Sequence, residues 1–312
     1  MGRGNASFRL TQMVANYQAY WGATYGDFNG DGFLDFAYVE GKDFNFNPGN
    51  IQIMLGDGTG HFTEGARITN FVTGFIELVS GDFNSDGKLD LIAFEGGGAA
   101  MDIYLGNGDG TFTQSVRYGD SIFPVAAQVG DFNNDGILDL IVQDAYNGFY
   151  LALGNGDGTF RYPGRVVVPV PDAWPCTGDG ANNAIIDDFN HDGNLDLAVC
   201  NNPTQNGFEV FLGNGDGTFR APSDYIVGGT GFFSAAAGDF NSDGETDIAV
   251  TQETQFSIFL GNGDGTFQSQ QIVKLPGKKD WNGVSTEFNV GDLNNDGLLD
   301  FIFTGITVFR QQ

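Results

Sequence analysis

The chain has 312 residues, 41% of them hydrophobic, and its 13 Lys and Arg against 40 Asp and Glu give a formal net charge of -27. This charge disfavours nucleic acids and anionic membrane surfaces as partners, because phosphate groups bind to clustered basic side chains. The apolar residues are sufficient for a core but no apolar run is long enough to cross a bilayer, so neither disorder nor membrane insertion is expected.

The dominant feature along the chain is an acidic motif that recurs at intervals of about 50 residues. The motif, D-x-N-x-D-G-x-x-D, occurs six times, starting at Asp27, Asp82, Asp131, Asp188, Asp239 and Asp292. A second motif, Asn-Gly-Asp-Gly-Thr-Phe in its clearest copies, lies between the acidic motifs and begins at Asn107, Asn155, Asn214 and Asn262. Short strands repeated with this period are typical of the blades of a β-propeller.

Each repeat is predicted to contain four short strands and no helix. The first strand leads into the acidic loop, as in residues 234–237, and the second follows it, as in residues 89–94, where apolar residues indicate burial on both faces. The third strand alternates, as in residues 256–260, and ends in an Asn-Gly/Asp-Gly turn that favours a tight hairpin. The fourth begins at Thr-Phe, as in residues 266–268.

The two ends of the chain predict how the repeats are arranged. Only residues 301–312 follow the last acidic motif, enough for a second and a third strand but not for a fourth. Residues 7–10 (Ser-Phe-Arg-Leu) are similar to the fourth-strand openings, so the N-terminus is expected to complete the last blade. The predicted fold is therefore all-β: a single domain of residues 1–312, folded as a closed, six-bladed β-propeller of four-stranded blades without a long unpaired edge.

The acidic motifs are predicted to bind Ca²⁺. Oxygen-bearing side chains at positions 1, 3, 5 and 9, a Gly at position 6 and a backbone carbonyl at position 7 are typical of a short loop around a hard cation. Three Asp side chains in one loop would repel one another without an ion. Since the motif recurs in every repeat, the expected role is structural. The alternative is a set of Asp, Asn and Gly turns that hold no ion.

About one ion is expected per loop, with position 7 acting through its carbonyl oxygen. The candidate ligands are Asp27, Asn29, Asp31, Phe33, Asp35, Asp82, Asn84, Asp86, Lys88, Asp90, Asp131, Asn133, Asp135, Ile137, Asp139, Asp188, Asn190, Asp192, Asn194, Asp196, Asp239, Asn241, Asp243, Glu245, Asp247, Asp292, Asn294, Asp296, Leu298 and Asp300. His191, at position 4 of the fourth loop, is expected to be solvated. The second motif is interpreted as a hairpin whose Phe packs between blades.

These acidic loops, with the Gly-Asp-Phe that opens most of them, resemble the FG-GAP/VCBS repeats of integrin α-subunit propellers, bacterial surface proteins and some fungal lectins. The resemblance covers nearly the whole chain and implies calcium in the loop between the first and second strands, on the lower face of a propeller. Propellers of the integrin type usually have seven blades, so seven blades with one diverged is the alternative to six. The family includes adhesion proteins, lectins and lyases, so the resemblance does not decide the function.

The connections at the opposite, upper face are the longest and most irregular, and variable loops on a rigid scaffold are where binding sites usually lie. Aromatic side chains there are candidates for sugar binding, because a ring stacks on the apolar face of a sugar while nearby amides bond its hydroxyls. The alternative is that these side chains cover the hydrophobic mouth of the ring. The candidates are Trp21, Phe44, Tyr146, Trp174 and Trp281.

The two cysteines, Cys176 and Cys200, map to the upper side of one repeat. In an exported protein they are predicted to form a disulfide, and two free thiols are the alternative. The protein is expected to be secreted or displayed at the cell surface, where its partner is a glycan or another cell-surface ligand. The oligomeric state is left open.

Three functions remain open at this point. The favoured one is glycan binding without catalysis. The second is a carbohydrate-active enzyme such as a polysaccharide lyase, which needs a base and a cation on the upper face. The third is a protein-binding adhesion module. The candidate residues for a lyase are Lys42, Lys278, Lys279, Tyr17, Tyr20 and Tyr146. No spacing singles out a catalytic set, and neither His suits a nucleophilic triad.

Overall fold

The computed structural model describes residues 22–40, 50–69, 76–95, 100–119, 124–144, 148–161, 165–169, 184–201, 207–228, 234–251, 256–273, 288–291, 298–303 and 307–309. The regular secondary structure within these ranges consists of 23 β-strands, which form six antiparallel sheets. The described part of the chain contains no helix with the length and hydropathy of a membrane span. These residues fall into two compact units, one within Arg9–Pro169 and one within Val170–Gln312.

The first unit contains three four-stranded sheets, each paired in sequence order. The first sheet is β1 (Ala23–Gly26), β2 (Asp35–Glu40), β3 (Asn50–Gly56) and β4 (Phe62–Ile68). The second is β5 (Ile76–Gly81), β6 (Asp90–Glu95), β7 (Ala100–Gly106) and β8 (Phe112–Gly119). The third is β9 (Pro124–Gly130), β10 (Asp139–Asp144), β11 (Gly148–Ala152) and β12 (Arg165–Pro169).

The second unit repeats this pattern. Its first sheet is β13 (Ala184–Asp187), β14 (Asp196–Asn201), β15 (Gly207–Phe211) and β16 (Ser223–Ile226). The next is β17 (Ser234–Gly238), β18 (Asp247–Thr251), β19 (Phe256–Phe259) and β20 (Gln271–Val273). The last has three strands in the described residues, β21 (Phe288–Gly291), β22 (Asp300–Phe303) and β23 (Thr307–Phe309). The N-terminal strand predicted to complete it, residues 7–10, lies outside the described residues.

The hydrophobic core lies between consecutive sheets of the same unit. Ile53 of the first sheet and Leu91 of the second belong to one buried cluster, and Phe94 of the second sheet and Val142 of the third belong to another. Every residue of β6 and β10 is buried. The prediction of second strands buried on both faces is thus confirmed for these two. In β6 the cause is the packing of Leu91 against the first sheet and of Phe94 against the third.

The fourth strand starts later than predicted in three repeats. At the Thr-Phe of the fifth repeat only an isolated bridge forms, between Gly261 and Phe267, and the regular strand β20 begins at Gln271. The intervening residues 268–270 are Gln-Ser-Gln and largely exposed, so they have little to pack against. The third and fourth repeats have the same isolated bridge.

Consecutive repeats interlock where a leucine covers a glycine. The Leu at position 8 of an acidic loop packs on the residue that ends the first strand of the preceding repeat, and a Cβ atom at Gly26 would lie 2.3 Å from Cδ1 of Leu89. Between the fourth and fifth repeats this pair is replaced by Asp187 and Thr246, whose hydroxyl donates a hydrogen bond to Asp187 Oδ2 at 3.0 Å. An apolar contact is therefore exchanged for a polar one at this junction alone among those described.

Candidate functional site

The first five acidic loops fold around the carboxylate at their first position. In the first loop, Oδ1 of Asp27 accepts a hydrogen bond from the N–H of Asp31 at 3.1 Å, and Oδ2 accepts one from Gly32 at 2.8 Å. The same two bonds recur at Asp82, Asp131, Asp188 and Asp239. Asp side chains bind their own backbone in this way in turns generally. The turn and the calcium loop considered from the sequence therefore share one backbone.

This turn needs left-handed residues at positions 4 and 6. In the second loop Ser85 has φ 59° and Gly87 has φ 83°. Position 6 is Gly in all six motifs, as its predicted role requires. The sequence pattern assigns no role to position 4, yet it is left-handed without being Gly at Asn134, His191 and Ser242 as well. Non-Gly residues seldom adopt this conformation, and Asn, Asp and His are enriched among those that do.

Position 9 has a structural role that was not predicted from the sequence. Asp35 is fully buried, and its carboxylate accepts the N–H of Phe28 at 2.9 Å and that of Gly56, at the end of β3, at 2.8 Å. The carboxylate thus ties the start of the loop to the end of the third strand. Burial raises the pKa of the equivalent groups, Asp139 and Asp196, to about 6. Retention of this acid in every motif is therefore weaker evidence for metal than the sequence pattern suggests.

The donor set nevertheless fits a hard divalent cation. Burial is the largest cause of the raised pKa of Asp35, and the carboxylates of Asp31 and Asp27 raise it further, so negative charge is concentrated in the loop. Donors that are all oxygen suit Ca²⁺. Within the described residues no three His, Cys, Asp or Glu side chains form a ready-made metal centre. In the sixth loop only Leu298, Leu299 and the backbone of Asp300 are described, so the metal ligands stay a prediction.

His191 is exposed to solvent, as expected, and it also has a side-chain partner. Its side chain is 53% exposed, and Nε2 lies 2.8 Å from Oε2 of Glu245, at position 7 of the next loop. This hydrogen bond raises the pKa of His191. Arg220 approaches Asp192 of the same loop at 3.3 Å. Because these ion pairs are exposed, they add little to stability.

The second motif forms a hairpin turn, as interpreted from the sequence. Asp109 is exposed, and its Oδ1 accepts hydrogen bonds from both the N–H and the hydroxyl of Thr111. The N–H of Gly110 donates to the carbonyl of Phe28, in the acidic loop of the preceding repeat, at 2.9 Å. The motif thus closes its own turn and joins it to the neighbouring repeat.

The repeated Phe residues pack between repeats, as predicted. Phe28 meets Phe112 of the next repeat edge to face at 5.7 Å, and Phe83 meets Phe160 in the same way. A tyrosine that was not predicted to take part reinforces this contact: the hydroxyl of Tyr118 accepts the N–H of Phe160 at 2.8 Å. Tyr225 binds Phe267 equivalently. The sequence feature that could have indicated this contact is a Tyr near the end of the fourth strand in two repeats.

A family model of the FG-GAP-like repeat matches five overlapping segments of the chain, residues 27–93, 82–142, 131–199, 188–250 and 239–303. These segments contain all six acidic motifs. The chain belongs to the FG-GAP-like repeat family. The resemblance inferred from the loops is thereby confirmed. No curated protein gives a significant match to the sequence.

Two solved structures share the fold of these FG-GAP repeats. One is an Agrocybe aegerita lectin, described as specifically recognising non-reducing terminal N-acetylglucosamine; it is 20% identical, with a TM-score of 0.63 over 91% of this chain and 75% of the lectin. The other is BBS1N in complex with ARL6DN, 11% identical, with a TM-score of 0.53 over 95% of this chain and 92% of its own. At these identities the likeness concerns the fold alone. It supports a β-propeller built from FG-GAP repeats.

The upper-face candidates lie outside the residues that the structure describes. This holds for Trp21, Phe44, Tyr146, Trp174 and Trp281, for Cys176, and for the Lys and Tyr residues considered for a lyase. Cys200 lies on β14, but its side chain is not described. The ligand face and the disulfide therefore stay predictions.

Proposed function

We propose that this FG-GAP repeat protein is a calcium-stabilised, non-catalytic glycan-binding module that acts outside the cell. The observation that carries the proposal is the similarity of fold to the Agrocybe aegerita lectin over 91% of this chain. The composition agrees with it, since a strongly acidic protein suits neutral sugars better than phosphate-bearing ligands. Because that lectin recognises non-reducing terminal N-acetylglucosamine, glycans that end in this sugar are the first ligands to test.

The proposed binding surface is the end of the sheets opposite the acidic loops. In an antiparallel sheet paired in sequence order, the first and third connections lie at one end and the second at the other. The acidic loops and the Asn-Gly turns occupy the former end, which leaves the longer connections free to vary. The proposed ligand contacts are Trp21, Phe44, Tyr146, Trp174 and Trp281.

Calcium is proposed to stabilise the loops rather than to take part in binding. Its ligands would be the side chains at positions 1, 3, 5 and 9 and the carbonyl at position 7 of each loop. The ion would supply positive charge where three carboxylates are concentrated, and binding to the folded state alone would stabilise that state.

Six blades in one closed ring are also part of the proposal. The chain has six acidic motifs, and the described residues form six sheets, of which only the last has three strands. Residues 7–10 would supply its fourth strand. This part would be contradicted by an experimental structure in which residues 7–10 do not pair with β23. A structure that contains a seventh sheet would also contradict it.

The test is a glycan array probed with folded, calcium-loaded protein. We expect binding to glycans that end in N-acetylglucosamine, and a loss of at least tenfold in affinity when Trp21, Trp174 or Trp281 is replaced by Ala, the size expected of a stacked ring. The matched control is Tyr25→Ala, which removes an aromatic side chain that is 71% exposed beside the first acidic loop. If the protein has native stability and binds no glycan on the array, the proposal is contradicted.

A protein-binding module is the second candidate, supported by the similarity of fold to BBS1N, whose structure contains ARL6DN. Capture of a protein partner whose binding is lost in the three Trp variants, with an empty glycan array, would favour it over the first.

A further inference from the structure

A buried cluster in the second sheet has more negative than positive charge. Glu95, at the end of β6, is fully buried and Asp102 on β7 is 1% exposed. Arg117 on β8 bridges them: one of its terminal nitrogens, Nη2, donates to Glu95 Oε2 at 2.8 Å and the other to Asp102 Oδ2. Gln114 donates to the second oxygen of Asp102 at 2.9 Å. Two carboxyl groups therefore face one guanidinium.

One oxygen of this cluster has no hydrogen-bond donor among the described residues. Oε1 of Glu95 is buried, and no donor reaches it from any residue that the structure describes. A buried carboxylate oxygen without a partner is costly, and so is a second buried charge that the single guanidinium leaves uncompensated. A proton on one of the two carboxyl groups would remove both costs, because it cancels one charge and provides a donor.

In the part of the chain that the structure describes, the elements packed around the cluster supply no further cation. The other titratable group on β7 is Tyr104, whose pKa is raised by burial and which stays neutral. On β5, Glu77 pairs with Phe94 and so lies on the opposite face of the sheet from Glu95. Asp102 pairs with Ala93, so the cluster faces the first sheet, which packs on this side through Val39, Ile51 and Ile53, none of them titratable. Arg117 is thus the positive group of the cluster.

In the first sheet, the residue opposite the arginine is uncharged. Gln52 stands opposite Arg67 in the register that Asp102 and Arg117 occupy in the second sheet. Gln52 is 2% exposed, and its amide oxygen accepts the Nε–H of Arg67 at 3.0 Å. An uncharged oxygen acceptor beside the arginine is therefore compatible with the fold at this register.

We propose that Asp102 holds a proton beneath Arg117 and beside Glu95, so that the second sheet binds a proton on folding and loses stability when the proton leaves. The pKa of Asp102 agrees: burial raises it to about 6, although Arg117 lowers it. A carboxyl group whose pKa is higher in the folded than in the unfolded chain binds more protons when folded. Between about pH 4 and pH 6 its contribution to stability therefore falls as the pH rises.

The test is denaturant unfolding of calcium-loaded protein between pH 4 and pH 7.5, for the wild type and the variants Asp102→Asn and Glu95→Gln. Relative to either variant, the folded-to-unfolded ratio of the wild type should fall by roughly a hundredfold over this range, since each unit of pKa difference is tenfold. Glu64→Gln is the matched control: it removes an exposed carboxylate from β4 and should leave the wild-type pH dependence unchanged.

Infrared difference spectra provide a second measurement that does not depend on stability. At pH 5 the wild type minus Glu95→Gln or Asp102→Asn should contain the C=O stretch of a buried, protonated carboxylic acid, and this band should disappear above about pH 7. Parallel pH profiles of wild type and variants, or no acid band in the wild type at pH 5, would overturn the proposal. If Asp102→Asn fails to fold, Glu95→Gln and the wild-type spectrum decide.

Discussion

At the scale of the residue, the aspartates of one motif have two different structural roles. The carboxylates at positions 1 and 5 are partly or fully exposed and bond within their own loop, whereas the one at position 9 is buried and bonds to N–H groups from two elements. The first kind suits a metal ligand, and the second is needed whether or not an ion is bound. Substitutions at positions 5 and 9 should therefore respond differently to calcium.

Asp139→Asn should lower the free energy of unfolding by about 2 kcal/mol even in excess chelator, and by more in calcium, because the side chain is also a proposed ligand. Asn has one acceptor oxygen, so the N–H of Phe132 or of Gly154 loses its partner. Asp135→Asn is the comparison: its side chain is exposed, so a loss should appear in calcium and be small in chelator. Denaturant unfolding at pH 7.5 under both conditions is the measurement. An effect of Asp139→Asn confined to calcium would contradict the structural role.

At the scale of the element, each of the first five repeats depends on one close approach of backbone to backbone. A glycine at or just after the end of the third strand lies against the carbonyl oxygen of position 8, so that a Cβ atom at Gly106 would lie 2.1 Å from the oxygen of Leu89. The same contact recurs at Gly56, Gly154, Gly213 and Gly261. Its function is to bring the N–H of this glycine to the buried aspartate, as Gly106 does for Asp90 at 2.8 Å.

Gly106→Ala should therefore destabilise the protein by about 2 kcal/mol, because the added methyl group meets backbone that cannot move without breaking the bond to Asp90. Gly119→Ala is the control within the same sheet: a Cβ atom there has nothing within 4 Å, and the free energy of unfolding should change by less than about 0.5 kcal/mol. Equal midpoints of thermal unfolding for the two variants would mean that the close approach is not needed.

The elements were predictable to different degrees, and the reasons are physical. The second strands were predicted well because burial on both faces leaves a continuous apolar run, as in β6. The start of β20 was not, because Thr-Phe forms one bridge there and the strand resumes only after three polar residues. The roles of position 9 and of Tyr118 depend on partners 15 to 42 residues away in sequence, which a local pattern does not contain.

At the scale of the whole molecule, the repeats accumulate charge faster than the fold neutralises it. The formal net charge is -27, and self-repulsion of this size opposes the compact state. Ion pairs such as Lys88 with Asp86, at 3.7 Å, are exposed and compensate little. Ions bound in the acidic loops would act on the loops and on the net charge at once.

The melting temperature should therefore depend strongly on calcium. When the free calcium concentration is one hundred times the Kd of a site, that site adds about 2.7 kcal/mol to the free energy of unfolding, and several independent sites add in proportion. Scanning calorimetry in millimolar calcium should give a clearly higher transition than in excess chelator, and magnesium should restore little of it, because Mg²⁺ demands a tighter octahedral shell. Asp31→Asn should reduce the calcium-dependent increase, whereas the control Glu64→Gln should not. The same transition with calcium and with chelator would exclude structural calcium, and the charge of the loops would then need another partner.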